Sequence, residues 1–79
     1  MDFALAQAIV DLLSTSDVPM SAIQITKALK LERTYKSRVN STLYHLKTQR
    51  MPIGDLPLYV TSQGATPPMW YLTSLADDN

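Results

Sequence analysis

The chain has 79 residues, one histidine and no cysteine, and its seven basic residues balance seven acidic ones. The lack of cysteine excludes a disulfide scaffold and a cysteine-based metal site, and 46% hydrophobic residues with only two glycines are typical of a small globular domain. The charges are segregated, because every basic residue lies between Lys27 and Arg50, where Glu32 is the only acid. This segregation predicts one basic face.

Neither a membrane span nor a signal peptide is predicted. The most apolar stretch, FALAQAIVDLL, is interrupted by Gln7 and Asp11 and is far shorter than the roughly 20 residues that cross a bilayer. Asp2 stands where a signal peptide would carry basic residues. We therefore expect an intracellular domain, in the cytoplasm or the nucleus, with no membrane partner. Residues 1–79 are expected to form one domain with its core within about residues 3–74.

The first half of the chain predicts two helices. Residues 3–13 form an amphipathic pattern whose apolar positions are Phe3, Ala6, Ile9, Val10 and Leu13. Pro19 steers its predecessor toward extended backbone, so residues 18–20 are predicted as a very short strand. Ser21 and Gln24 fit a capping box, which places the start of a second helix at Ala22.

A third helix is predicted over about residues 35–49, with Thr34 as its candidate N-cap. Its apolar side is expected to hold Tyr35, Val39, Thr42, Leu43 and Leu46. Lys36, Asn40 and Tyr44 recur every four residues outside that side, so Tyr44 is predicted to be displayed rather than buried. Periodicity alone leaves two interpretations open, an ordinary surface tyrosine and a contact for a ligand.

The last third of the chain predicts a β-hairpin. Prolines and a glycine in RMPIGDLP, residues 50–57, end the third helix, and LYVTS and MWYLT are β-prone runs joined through QGATPP. Pro67 and Pro68 belong in the turn or at an edge, because neither can donate to a ladder. Three helices followed by a hairpin predict an α+β fold, a winged helix-turn-helix with a C-terminal wing.

No enzyme, cofactor or metal site is predicted. His45 is the only histidine, lies away from the Lys36–Tyr44 side of the helix, and has no cysteine or acid at ligand or triad spacing. Asp77 and Asp78 are interpreted as a solvated tail.

KSRVNSTLY together with TPPMW resembles the Zα domain, the winged helix that binds left-handed Z-form DNA and RNA. The shared pattern is Lys, three residues, Asn, three residues, Tyr, followed about twenty residues later by Thr-Pro-Pro-x-Trp. The resemblance covers most of the chain. Two features depart from the family pattern. Ser37 stands where members often carry a second basic residue and Ser41 where they often carry another polar or basic residue, and RMPIGDLP is longer than the usual lysine-bearing turn.

The resemblance implies a role for each motif residue. Lys36 and Asn40 would bind the zigzag phosphate backbone, Asn40 both directly and through water, and Tyr44 would rest against a syn guanine. Trp70 would pack against Tyr44 and share a water-mediated phosphate contact. From the wing, Pro67 and Pro68 would press on the sugar-phosphate backbone, and Thr66 would shape the wing. Further candidates for phosphate contacts are Arg38, Ser37, Ser41 and Lys47.

The resemblance also implies partners and context. Two monomeric domains would flank one short Z-form duplex, as a module of a host antiviral protein (an RNA-editing deaminase, a nucleic-acid sensor or a fish kinase) or of a viral antagonist. The alternative is a winged helix that binds right-handed DNA or a protein partner. A reader of right-handed DNA would usually offer arginine, glutamine or asparagine to base edges where Tyr44 stands.

Overall fold

A computed structural model of the chain describes residues 2–49 and 58–74. Within those ranges it contains α1 (Phe3–Thr15), α2 (Ala22–Ala28), a 3₁₀ turn (Arg33–Tyr35), α3 (Lys36–Gln49), β1 (Leu58–Gln63) and β2 (Met69–Ser74). The predicted α+β winged helix-turn-helix is confirmed. The predicted loop over residues 50–57 and the tail with Asp77 and Asp78 lie outside the described residues. None of the helices in the described ranges has the length and apolar character needed to cross a lipid bilayer.

Helix α1 begins where Asp2 caps it. The Asp2 carboxylate accepts a hydrogen bond from the Leu5 backbone N–H at 3.1 Å, which satisfies one of the free donors of the first turn. The buried residues of α1 are Leu5, Ala6, Ile9, Val10 and Leu13. The prediction that Phe3 joins the core was wrong, because Phe3 is 72% exposed. At the first residue of the helix no other described element covers that side.

Helix α2 has the predicted capping box at its start and a tight turn at its end. The Gln24 backbone N–H donates to Ser21 Oγ at 3.2 Å, and the Ser21 N–H donates to Gln24 Oε1 at 2.9 Å. After Ala28 the chain closes a Schellman motif, with Lys30 N–H bonded to Lys27 O and Leu31 N–H bonded to Thr26 O. Lys30 holds the left-handed position at φ 58°.

Helix α3 begins one residue later than predicted, because Arg33–Tyr35 form a 3₁₀ turn. Thr34 lies inside that turn, so its prediction as the N-cap of α3 was wrong. A 3₁₀ turn advances about 120° per residue rather than about 100°, which moves Tyr35 off the apolar side. Tyr35 is 38% exposed and lies under the Arg38 guanidinium, 5.6 Å from the ring centre. The other predicted apolar positions are buried: Val39, Thr42, Leu43 and Leu46.

Strands β1 and β2 pair antiparallel, with Ser62 opposite Trp70 and Gln63 opposite Met69. The connecting residues form the tip of the wing, where Gly64 has φ 80°, a conformation that strains any side chain with a Cβ. The very short strand predicted at residues 18–20 is present as a single antiparallel bridge from Met20 to Trp70.

The core lies between the three helices and the inner side of the hairpin. It consists of Leu5, Ala6, Ile9, Val10, Leu13, Ala22, Ile25, Val39, Leu43, Leu46, Val60 and Trp70. Trp70 is the largest of its fully buried side chains. Because β2 carries Trp70 into the core, the position of the wing relative to α3 is fixed by packing.

Candidate nucleic-acid interface

Helix α3 displays Lys36, Asn40 and Tyr44 on successive turns. Lys36 is exposed, Asn40 is half-buried and Tyr44 is 44% exposed, whereas Val39 and Leu43 on the opposite side are fully buried. The prediction that Tyr44 is displayed is therefore confirmed. The stripe offers a cation, a hydrogen-bonding amide and an aromatic surface in a row.

The Tyr44 ring packs against the ring of Trp70. The two rings meet edge to face, with their centres 4.9 Å apart and their planes at 90°. This geometry is favoured by the ring quadrupoles. Since Trp70 is fully buried, it gives the exposed tyrosine a rigid base.

The wing tip and α3 enclose a groove of about 310 Å³, which we call the motif groove. Its walls are Lys36, Ser37 and Asn40 from α3, Pro67 and Pro68 from the wing, and Ser21, Ala22 and Ile23 from the start of α2. Thr66 and Pro67 are exposed, and Pro68 is half-buried. The two halves of the sequence motif, about thirty residues apart at Lys36 and Pro67, thus face one groove.

The contribution of α2 to the motif groove was missed by sequence reasoning. No binding motif is present at Ser21, Ala22 and Ile23. The capping box that begins at Ser21 indicates only where a helix starts. Ile23 is 44% exposed, an uncommon state for an isoleucine, and it lines the same groove as Lys36. An exposed isoleucine at the start of a helix was the one available signal.

Contacts within the protein limit the access of a ligand to the Lys47 ammonium and to Trp70 Nε1. Lys47 Nζ donates a hydrogen bond to Ser62 Oγ at 3.0 Å and lies 5.9 Å from the centre of the Trp70 ring. Trp70 Nε1 is buried and has no hydrogen-bond partner among the described residues. A phosphate contact through Trp70 would require this nitrogen to become accessible, and it stays a prediction.

The remaining candidates for phosphate contacts are divided between two depressions. Ser37 lines the motif groove, but it also lines a second depression with Arg38, Ser41 and Asp2. The carboxylate of Asp2 makes that depression less favourable for phosphate than the motif groove. Arg38 and Ser41 are therefore not brought together with Asn40 and the wing.

The predicted basic face is present on α2, the turn after it and α3. Lys27, Lys30, Arg33 and Lys36 are all exposed, and within residues 2–49 and 58–74 none of them forms an ion pair. The described aspartates are Asp2, Asp11 and Asp17, at the start of α1, within it and just after it. This distribution favours a polyanion on one side of the domain.

Three helices, a wing and an exposed polar stripe on α3 define a winged helix whose third helix is available to nucleic acid. The sequence profile of the family described as the adenosine deaminase z-alpha domain matches residues 1–76. The chain therefore belongs to the z-alpha domain family. No curated protein and no solved structure gives a significant match.

Membership of this family supports binding of Z-form nucleic acid in general. The words adenosine deaminase in the family description do not assign deaminase chemistry to this chain, since a z-alpha domain is a nucleic-acid-binding module rather than a catalytic domain. Zinc deaminases of nucleobases hold their metal with histidine and cysteine ligands, and these 79 residues contain one histidine and no cysteine. Among the described residues no three His, Cys, Asp or Glu side chains cluster as metal ligands would.

Proposed function

We propose that this domain binds left-handed duplexes of both DNA and RNA through the motif groove and Tyr44. Lys36 and Asn40 bind phosphates, Pro67 and Pro68 contact the sugar-phosphate backbone from the wing, and Tyr44 contacts a purine in the syn conformation. The observation that supports this assignment best is the Tyr44–Trp70 pair, which presents an aromatic ring beside the groove on a rigid base.

Selection of the left-handed form follows from shape. A zigzag backbone brings phosphates to positions that a right-handed helix does not reach, and a syn purine exposes its face to the outside of the duplex. The walls of the motif groove come from elements that pack on one core, so their spacing is fixed and suits one backbone shape. The domain can therefore select the left-handed form with few hydrogen bonds to base edges. Since DNA and RNA present the same left-handed backbone, weak discrimination between them is expected.

Circular dichroism of an alternating CG duplex tests this function directly. Titration with the domain should invert the long-wavelength bands, and Asn40→Ala should reduce the conversion because it removes phosphate bonds. Gln49→Ala is the control, since it also removes a side-chain amide from α3 but lies outside the motif groove. An unchanged right-handed spectrum with retained binding would instead support a reader of right-handed DNA, and absence of any binding would favour a protein partner.

The same surface has consequences for assembly. Each domain contacts mainly one strand, so two monomers are expected to flank one short duplex. Sedimentation should show a single protomer for the free domain and two protomers per duplex at saturation. A stable dimer in the absence of nucleic acid would contradict this arrangement.

The cellular role that fits a reader of left-handed duplexes is recognition of unusual nucleic acid in the cytoplasm or the nucleus. We place the domain in an innate-immune sensor of nucleic acid or in a viral antagonist of such a sensor. The domain can be expressed in cells and pulled down with crosslinked RNA and DNA. Enrichment of alternating purine–pyrimidine duplexes is expected for this role, and recovery of nucleic acid without that enrichment would contradict it.

A further inference from the structure

A further groove is lined by Ile23 and Lys36 together with residues to which the proposed site assigns no role. It has a volume of about 300 Å³, and we call it the α2 groove. Its walls are Ile23, Thr26, Lys27, Leu31, Arg33 and Lys36. Two of these side chains, Ile23 and Leu31, are aliphatic, and three of them, Lys27, Arg33 and Lys36, are cationic.

The α2 groove shares two lining residues with the motif groove. Ile23 and Lys36 line both, so the two depressions are neighbours on the surface. A phosphate backbone that contacts Lys36 in the motif groove therefore lies next to the depression that Lys27 and Arg33 line.

Hydrogen bonds fix the backbone that carries two of these cations. The Schellman turn after α2 ties Leu31 N–H to Thr26 O at 3.1 Å, and the buried Thr26 hydroxyl donates to Ala22 O at 2.7 Å. Lys27 belongs to this turn, since its carbonyl accepts from Lys30 N–H, and Arg33 follows the turn; both line the α2 groove. Neither forms an ion pair within the part of the chain that the structure describes, and both are exposed.

We propose that the α2 groove binds the phosphate backbone of the same duplex, beyond the nucleotides held by the motif groove. The Arg33 guanidinium suits a bidentate phosphate contact, Lys27 supplies a point charge, and Ile23 and Leu31 pack against the sugars. This role rests on the proposed function, because Lys36 connects the two grooves. Its consequence is a footprint longer than the KSRVNSTLY and TPPMW residues alone would cover.

The test compares two duplexes locked in the left-handed form by brominated guanines, a short one that fills the motif groove and one about twice as long. Fluorescence anisotropy with the duplex in excess gives the affinity of a single protomer for each. Lys27→Gln and Arg33→Gln, made separately, should each lower affinity for the longer duplex several-fold. Each should also reduce the slope of log K against log salt by about 0.9, while affinity for the short duplex stays the same.

Lys30→Gln is the matched control, because it removes the same charge from an exposed lysine on the same turn that does not line the α2 groove. Lys30→Gln should leave unchanged the increase in affinity from the short to the longer duplex, and Lys27→Arg should keep that increase as well. If Lys30→Gln weakens binding as much as Lys27→Gln, only net charge matters and the α2 groove is not a site. If Lys27→Gln and Arg33→Gln both keep the affinity and the salt slope of the parent, the proposal that the α2 groove binds phosphate is overturned as well.

Failure of the proposed function has a different signature. In that case the parent domain would bind the locked left-handed duplex no better than a right-handed duplex of equal length. The α2 groove would still be judged by the difference between Lys27→Gln and Lys30→Gln on the duplex that the parent binds. Melting temperatures of all variants confirm that each compared protein is folded.

Discussion

Tyr44 and Trp70 meet at a right angle, with ring centres 4.9 Å apart, Tyr44 partly exposed to solvent and Trp70 fully buried. The pair joins α3 to β2 at the point where the core reaches the surface. Trp70 contributes to stability, while Tyr44 contributes an exposed face whose orientation Trp70 restricts. Binding and folding can therefore be separated by substitution on either side of this contact.

Replacing Tyr44 with Ala should weaken binding to a left-handed CG duplex by about 1 to 3 kcal/mol, the usual value of a base–aromatic contact. The free energy of unfolding should fall by only about 0.5 to 1.5 kcal/mol, the contribution of an edge-to-face aromatic pair, because the ring lies outside the buried side of α3 but packs on Trp70. Leu43→Ala is the control on the same helix, and it should lower the free energy of unfolding by about 2 to 5 kcal/mol. Equal destabilisation by the two substitutions would show that Tyr44 is a core residue rather than a displayed one.

The hydrogen bond from Lys47 to Ser62 should make a measurable contribution to the attachment of the wing to α3. A double-mutant cycle with Lys47→Met and Ser62→Ala should give a coupling of about 0.5 to 1.5 kcal/mol in the free energy of unfolding. Met keeps an unbranched chain of similar length, and because the Lys47–Trp70 contact is lost equally in both backgrounds, the cycle isolates the polar contact with Ser62. Loss of binding by Lys47→Met but not by Ser62→Ala would indicate that Lys47 contacts phosphate directly.

Lys30→Gly should stabilise the domain by up to about 1 kcal/mol. Lys30 occupies the left-handed position of the turn after α2, where a side chain with a Cβ is disfavoured and glycine is preferred. Chemical denaturation should show a higher midpoint with an unchanged slope. Lys30→Ala provides the comparison, since it removes the same side-chain charge but keeps the Cβ, and it should not stabilise.

Binding to a short left-handed duplex should depend only moderately on salt. Two or three phosphates neutralised per protomer give a slope of log K against log salt of about 0.9 per phosphate. Lys36 is the only lysine or arginine that lines the motif groove among the described residues, which keeps this number small. A slope that corresponds to six or more phosphates on a short duplex would place further cations in the interface.

The sequence predicted the parts of this site that depend on helical periodicity. Tyr44 was expected outside the apolar side of α3 from spacing alone, and it lies there. Phe3 and Tyr35 show where spacing fails. Phe3 stands at the end of a helix, where no part of residues 2–49 and 58–74 buries it, and Tyr35 lies in a 3₁₀ turn with a different rotation per residue. Ile23 could not be assigned to the groove, because its approach to Lys36 depends on how α2 packs against α3.

The antiparallel bridge between Met20 and Trp70 also determines how the wing can open. Trp70 N–H donates to Met20 O at 2.7 Å and Met20 N–H donates to Trp70 O at 2.9 Å, so the wing is joined at its base to the segment between α1 and α2. Detaching it breaks both bonds and exposes Trp70, the largest fully buried side chain of the described residues, so we expect its cost to approach that of unfolding the whole domain. These two amide hydrogens should therefore exchange with solvent only through global unfolding. A duplex that contacts the wing adds its binding free energy to the stability of the entire domain, and the rate of amide exchange at Trp70 reports that occupancy.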